Sequence, residues 1–274
     1  MKIITPLLSI LLVTSCADAK ETIFIGSTPA GPLIRSFLGI PFSDSVDFVR
    51  WKLLIRDNRY QLQYNYGIGE PNTNGFIDGG KKQELNDECR KEKNYYQFQN
   101  GTSSLKAVEL NANLLHLLNT DNSLLVGNGG WSYTLNNAMP VSNGELGIIA
   151  PRGSFKDSTA FEGRTPCNVP GVITPGTQCY KLKWYVILYA PARPNQQGSF
   201  KVLGTPWRKE GGITGSWQII AGKKDQVIYE LDYNNRNKFL YLLKLDSRVF
   251  IFTDRLGNLL VGDEDFSYTL NRKW

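Results

Sequence analysis

The sequence predicts an all-β protein made of two tandem small antiparallel up-and-down β-barrels, with about eight strands each. Three observations predict this fold. A thirteen-residue segment occurs twice, as LLVGNGGWSYTLN at 124–136 and as LLVGDEDFSYTLN at 259–271, and nine of its positions are identical. Apolar and polar residues alternate in both halves of the chain, as in half-buried strands, and Gly, Asn and Asp turns separate the alternating runs. A two-sheet sandwich is the alternative arrangement of the same strands.

Residues 1–16 carry the pattern of a lipoprotein signal peptide. Lys2 is followed by an apolar stretch, and Val13-Thr14-Ser15-Cys16 matches a lipobox. The apolar stretch is shorter than the roughly 20 residues that a helix needs to span a bilayer. The sequence therefore predicts lipidation of Cys16 and attachment of the protein to a membrane by its lipid anchor. An ordinary secretion signal with a chance cysteine is the alternative.

The domain boundaries follow from the repeat and from changes in composition. We expect a tether over 17–35, the first barrel repeat over 36–137, a linker rich in Pro and Gly over 138–157, and the second barrel repeat over 158–274. The alternation places strands of the first copy at Val49–Ile55, Tyr60–Tyr66, Leu105–Leu110, Leu114–Leu118 and Trp131–Leu135. It places strands of the second copy at Leu182–Tyr189, Ser199–Leu203, Ser216–Ile220, Val227–Leu231, Phe239–Leu243, Arg248–Phe252 and Phe266–Leu270. The opening strands are expected near Phe37-Leu38-Gly39 and Phe161-Glu162-Gly163.

The cysteines are consistent with an oxidising cell envelope. Cys167 and Cys179 flank a loop rich in Pro and Gly that can bend back, so we expect a disulfide between them. Closing so short a loop stabilises a fold by about 3 kcal/mol in the chain-entropy model, and we expect the second domain alone to gain from it. A metal site with two thiolates would need further ligands that the sequence does not offer. Cys89, in a charged segment expected to be a turn, is predicted to be a free thiol.

The second copy resembles the N-terminal barrel of NlpE-type envelope lipoproteins. The resemblance rests on Phe161–Cys167, an aromatic-x-Gly-x-x-Pro-Cys strand, and on Leu256-Gly257-Asn258 followed by Phe266–Leu270. It implies a lipocalin-like barrel, an outer-membrane location on the periplasmic face or the cell surface, and a link to envelope stress and copper tolerance. The chain lacks that family's Cys-x-x-Cys, because no cysteine lies between Cys167 and Cys179. Copper or redox sensing is therefore not carried over.

The sequence offers little catalytic chemistry. His116 is the one histidine, inside Leu114–Leu118, and we interpret it as structural, with a ligand or base role as the alternative. Val249 is taken as its match in the second copy. The acidic segment Asp263–Asp265 is interpreted as a solvated turn, since it lacks the ligand spacing of a calcium site. No nucleophile elbow, phosphate loop or HExxH motif occurs, so we predict no enzyme, no cofactor and no metal. An unrecognised hydrolase would need carboxylates that converge in a cleft.

The repeated aromatic residues admit two interpretations. They either fill the two barrel cores or line a barrel mouth that holds an apolar or sugar ligand. The ligand-binding candidates under the second interpretation are Trp51, Tyr60, Tyr64, Tyr66 and Trp184.

We therefore expect a non-catalytic membrane-anchored envelope lipoprotein that acts as a binding, scaffold or envelope-stress-sensing module. The alternative is a carrier of a hydrophobic molecule or glycan in a barrel cavity. The expected partners are the membrane and either an envelope protein or a small apolar or glycan ligand. The net charge of +6 is scattered along the chain, which argues against nucleic acid as a partner.

Overall fold

The computed structural model describes residues 21–142, 146–147, 157–173, 178–193, 196–222, 226–233 and 239–273. Cys16 and the predicted signal peptide lie outside these ranges, as does most of the linker expected over 138–157. Within the described ranges, no helix is both long enough and apolar enough to cross a membrane.

Eight consecutive antiparallel strands form the first barrel. The barrel closes where β1 pairs with β8, through Phe24 opposite Asn137 and Ile25 opposite Asn136. The strands are β1 Glu21–Pro29, β2 Phe48–Arg56, β3 Arg59–Gly67, β4 Lys81–Glu92, β5 Tyr95–Asn100, β6 Ser103–Asn111, β7 Leu114–Leu118 and β8 Thr134–Asn137. A single helix, α1 Pro32–Leu38, follows β1, and a short 3₁₀ turn spans Ile77–Gly79.

The second barrel repeats this topology. It closes where β9 pairs with β16, through Phe161 opposite Arg272 and Glu162 opposite Asn271. The strands are β9 Ser158–Thr165, β10 Leu182–Tyr189, β11 Gly198–Gly204, β12 Ile213–Ala221, β13 Val227–Asp232, β14 Phe239–Lys244, β15 Val249–Thr253 and β16 Thr269–Arg272, with a 3₁₀ turn at Thr205–Glu210. The prediction of two tandem up-and-down barrels is confirmed, and the sandwich alternative is wrong.

The opening of the first barrel differs from the prediction. Strand β1, Glu21–Pro29, lies inside the tether expected over 17–35, so this part of the segment is the first strand of the barrel and not a tether. The strand expected near Phe37-Leu38-Gly39 is the end of α1, which begins with a proline and ends at Gly39 in the left-handed conformation, with φ 67°. The counterpart of β9 is therefore β1. In both strands a threonine, Thr28 or Thr165, accepts a 2.8 Å hydrogen bond from the indole of Trp51 or Trp184.

Strands β4 and β5 were not predicted, and Cys89 lies in β4 and not in a turn. The sequence of β4, KKQELNDECRKE, is almost wholly polar, and most of its residues are exposed on both faces. It therefore lacks the alternation that marks a half-buried strand. Cys89 is a buried residue of the first core and is a free thiol, as predicted, and burial raises its pKa.

Side chains fill the interior of both barrels. The core of the first barrel contains Trp51, Tyr60, Tyr64 and Tyr66, and the core of the second contains Trp184. One end of the first barrel is covered by α1, whose Ile34, Phe37 and Leu38 belong to the core. The loop between β9 and β10 contributes in the same way to the second barrel, with Val169 in its core. The predicted disulfide between Cys167 and Cys179 is confirmed in this loop, with a Cα–Cα distance of 6.1 Å.

The two barrels pack against each other through β7 and β15. All five residues of each of these strands are buried. Leu115 of β7 and Phe250 of β15 point into their own barrel cores. Leu114 and Val249 instead belong to a third hydrophobic cluster, which contains residues of both barrels. This cluster defines the barrel interface, a surface that neither barrel buries alone.

Candidate functional site at the barrel interface

Reciprocal hydrogen bonds relate the two barrels by a local twofold symmetry. The N–H of Gly127 donates to Asn271 Oδ1 at 2.7 Å, and the N–H of Gly262 donates to Asn136 Oδ1 at 2.8 Å. These four residues occupy matching positions in the repeated thirteen-residue segment. In a twofold interface each contact occurs twice, because the two matching residues make the same contact from the opposite sides. The duplicated chain therefore folds as an internal pseudo-dimer.

Glycine is required at both donor positions. A Cβ at Gly127 would lie 2.1 Å from the carbonyl oxygen of Trp131, and a Cβ at Gly262 would lie 2.1 Å from that of Phe266. Neither backbone oxygen can give way without loss of the segment's conformation. The identity of these residues in the two copies thus has a packing cause.

A chain of buried hydroxyl groups follows the pseudo-twofold axis. Ser132 Oγ and Ser267 Oγ lie 2.5 Å apart, and Ser267 Oγ donates to Thr269 Oγ1 at 3.0 Å. Thr269 Oγ1 in turn donates to Thr134 Oγ1 at 3.0 Å. Each step satisfies a polar group that the interface removes from water.

His116 ends this chain. Its Nδ1 lies 2.8 Å from Thr134 Oγ1, and its Nε2 lies 2.9 Å from the carbonyl oxygen of Leu125. Because a carbonyl only accepts, Nε2 carries the proton, and Nδ1 accepts from the threonine hydroxyl. The side chain is fully buried, and this burial lowers its pKa to about 4. The β7–β8 and β15–β16 registers match His116 with Ile251, so the match with Val249 is wrong.

A cleft of about 240 Å³ opens at one end of this axis. Trp131 and Phe266, which are matching residues of the two barrels, both line it, so the cleft crosses the pseudo-twofold axis. The first barrel supplies a wall made of Asp47, Phe48, Trp131 and the loop Gly69–Gly75. The second barrel supplies a wall made of Arg164, Lys181, Lys183, Asp265 and Phe266. These residues define the interface cleft.

Three cations of the second barrel converge in the interface cleft. The guanidinium of Arg164 lies 5.3 Å from the ring centroid of Trp131, and Lys181 Nζ lies 5.4 Å from that of Phe266. Desolvation lowers the pKa of Arg164. Desolvation also lowers the pKa of Lys181, and repulsion from Arg164 and Lys183 adds to the effect. Over the described parts of the chain, none of the three forms a salt bridge.

Asp265, an acid of the same wall, is held by the other barrel. Its carboxylate forms an ion pair with Arg50 and accepts a 2.9 Å hydrogen bond from Asn74 Nδ2. Burial raises the pKa of Asp265, and this outweighs the opposite effect of Arg50. Asp265 belongs to the segment Asp263–Asp265, so the interpretation of that whole segment as a solvated turn is wrong.

The aromatic residues predicted to bind a ligand lie in the barrel cores. Trp51, Tyr60, Tyr64 and Tyr66 are core side chains and line none of the clefts described here. Trp184 borders a depression beside Gly204 and Gly212, with its side chain only 3% exposed. A larger cleft of about 410 Å³ lies at an end of the first barrel and is lined by Phe24, Ile55 and Tyr96 among others.

No family model, no curated protein and no solved structure matches the chain. Among the described residues, no group of three or more His, Cys, Asp or Glu side chains is placed to hold a metal ion.

The cations of the interface cleft were missed at the sequence level, although a signal for them exists. Arg50 and Lys183 each precede a repeated tryptophan, and Asp265 and Gly130 occupy matching positions of the repeated segment. Comparison of the copies therefore shows a basic residue in both and an acid in one only. The residues of these separate segments meet because of the twofold packing of the barrels. Alternation of apolar and polar residues within a strand does not reveal this packing.

Proposed function

We propose that the protein is a non-catalytic, lipid-anchored envelope protein and that the interface cleft is its binding site. The observation that carries this proposal is the position of the cleft on the pseudo-twofold axis, where both barrels contribute a wall. Binding sites of proteins concentrate at such junctions between domains. The lipobox at Cys16 and the resemblance to NlpE-type lipoproteins support the envelope location and a scaffold or stress-sensing role.

The use of the polar groups at the interface supports a non-catalytic role. His116 is fully buried, and both of its ring nitrogens are engaged in hydrogen bonds within the protein. Ser132, Ser267, Thr134 and Thr269 are likewise buried and bonded to one another. A general base needs to reach the proton that it removes from a substrate. These groups instead hold the two barrels together.

Photo-cross-linking in the producing cell tests whether the cleft is occupied. A photoreactive side chain at Thr73, an exposed residue of the cleft wall, is expected to give a specific adduct. The matched control places the same group at Ile219, which is 49% exposed on β12 of the second barrel, outside the cleft. Adducts that are equal at both positions, or absent at Thr73, would count against the cleft as a binding site.

Acyl labelling tests the anchor separately. Cys16→Ala is expected to abolish incorporation of labelled palmitate and to leave the chain unprocessed at that site, because the lipobox cysteine carries the acyl chains. Cys89→Ala is the matched control, since this thiol is buried in the first barrel and lies outside the lipobox. Palmitate incorporation by Cys16→Ala at the wild-type level would show that the protein is not a lipoprotein of this kind.

The carrier alternative has one observation in its favour. The cleft of about 410 Å³ at the end of the first barrel has an apolar floor that includes Phe24 and Ile55, and Met139 at its edge is 71% exposed. A carrier would take up a fluorescent fatty acid there, and Ile55→Asp would abolish the uptake. Uptake that Ile55→Asp leaves unchanged would exclude this cleft as the carrier site.

A further inference from the structure

We infer that the interface cleft binds an anionic group, a carboxylate or a phosphate carried by a small hydroxylated molecule. This inference rests on the proposed function, which makes the cleft a binding site, and adds the chemical class of the ligand. Three features carry it. They are the fixed cations of one wall, a glycine at position 130 where the matching residue of the other barrel is Asp265, and the hydrogen-bond acceptors of the opposite wall.

The cations are held in place before any ligand arrives. The guanidinium of Arg164 lies over the ring of Trp131, and Trp131 also stacks on Phe48 with 4.5 Å between ring centroids. Lys181 donates to Asn74 Oδ1 at 3.1 Å and lies over the ring of Phe266. Both cations line the interface cleft, and these contacts limit their motion there. Such preorganisation reduces the entropy lost when an anion binds.

The two halves of the interface differ in charge at one pair of matching positions. On one side of the axis Arg50 of the first barrel meets Asp265 of the second. On the other side the matching residues are Lys183 of the second barrel and Gly130 of the first. Gly130 therefore stands where an acid would balance the cations of the cleft. A Cβ at this position would lie 3.8 Å from both Cζ and Nη1 of Arg164.

Other acids near the cations are already engaged. Glu162, two residues before Arg164 on β9, forms a salt bridge with Lys273 at 3.7 Å. On the opposite wall Asp47 accepts a 2.8 Å hydrogen bond from the N–H of Gly69, and Glu70 accepts one from Thr73. Asp47 and Glu70 leave acceptor oxygens facing a ligand and repel a bare anion. The two walls together suit a molecule with an anionic group at one end and hydroxyl donors at the other.

Gly130→Asp tests the inference directly, because it supplies the missing acid without removing a cation. Gly130→Asn is the matched neutral control, and Gly130 has the negative φ that a side chain tolerates. Calorimetry on the full-length protein in detergent at low salt would use inorganic phosphate, glucuronate and glucose as probes. We expect the wild type and Gly130→Asn to bind glucuronate more tightly than phosphate. We expect Gly130→Asp to bind both anions about tenfold more weakly, which is about 1.4 kcal/mol.

The outcomes separate this inference from the proposed function. Wild-type binding of glucose with no binding of either anion would overturn the inference and leave the cleft as a binding site. Equal anion affinities for Gly130→Asp and Gly130→Asn would also overturn it. If none of the three probes binds while cross-linking at Thr73 succeeds, the inference about an anionic ligand is overturned and the proposed function stands. If Gly130→Asp does not fold, Arg164→Gln with Lys181→Gln replaces it, and unchanged anion affinity in that variant would be equally decisive.

Discussion

Asn136 and Asn271 occupy matching positions in the two barrels but make unequal numbers of hydrogen bonds. Asn136 accepts from Gly262 and donates through Nδ2 to the carbonyl oxygen of Asp263 at 2.8 Å. Asn271 accepts from Gly127, and its Nδ2 has no hydrogen-bond partner within the described part of the protein. The two residues thus form a natural pair for measuring one contact across the interface.

Asn136→Ala is therefore expected to destabilise the protein more than Asn271→Ala. Each variant leaves a buried glycine N–H without its acceptor, which costs about 1–3 kcal/mol, and Asn136→Ala also loses a second hydrogen bond of about 1 kcal/mol. Urea unfolding measures both free energies of unfolding. The reverse order would contradict the hydrogen bonds described across the interface.

His116 is expected to make stability depend on pH in a defined window. Its pKa is lowered from 6.5 to about 4 in the folded protein, so between these values the unfolded chain binds more protons. Stability is therefore complete above pH 6.5 and falls as the pH falls toward about 4. The loss is about 3 kcal/mol, since each pKa unit corresponds to about 1.4 kcal/mol.

His116→Ile isolates this effect, because isoleucine is the residue at the matching position 251. The variant is expected to be less stable at pH 7, since Leu125 loses the donor to its carbonyl oxygen. Its free energy of unfolding, measured by urea titration from pH 7 to pH 4, should lack the decrease that the wild type shows. The same decrease in both proteins would assign the pH dependence to other groups.

Most elements of the fold with one-sided burial were predicted, although β5, in which Tyr96 and Phe98 are buried and their neighbours accessible, was not. Strands such as β2 and β10 alternate buried and accessible residues, and their positions matched the prediction. Strand β4 was not predicted because its residues are almost all polar. β7 and β15 are buried on both faces, and a continuous apolar run such as Val249–Phe252 is the sequence signal of that state. This signal indicates that the outer face of the strand is buried as well, whereas alternation alone indicates only one buried face.

At this scale the disulfide yields a prediction that differs from the one the sequence suggested. Cys167→Ser is expected to lower stability by about 3 kcal/mol. Because the barrels share an interface, we now expect both to lose stability together. Calorimetry should show one shifted transition, and chelators should have no effect. A shift confined to part of a split transition would mean that the barrels unfold independently.

The whole molecule is a pseudo-dimer within one chain, and this was the least predictable level. The duplication was visible in the sequence, and so was the strength of the repeat at 124–136 and 259–271. Its cause was not visible. Gly127, Ser132, Thr134 and Asn136, with their matches, recur because they meet across the axis. Within one barrel only the two glycines have a further reason to recur, the close approach of a backbone oxygen of their own segment. The repeat therefore pointed to two similar barrels but not to their contact.

A disulfide trap across the axis measures that contact most directly. Ser132 Oγ and Ser267 Oγ lie 2.5 Å apart, close to the roughly 2.05 Å of a sulfur–sulfur bond. The variant with Ser132→Cys and Ser267→Cys is therefore expected to form an intramolecular bridge under mild oxidation, identified by mass spectrometry of the linked peptides. The control, Ser132→Cys with Ser199→Cys on the exposed face of β11, should remain unbridged. Failure of the first pair to bridge, or equal bridging in both pairs, would contradict the pseudo-twofold packing of the barrels.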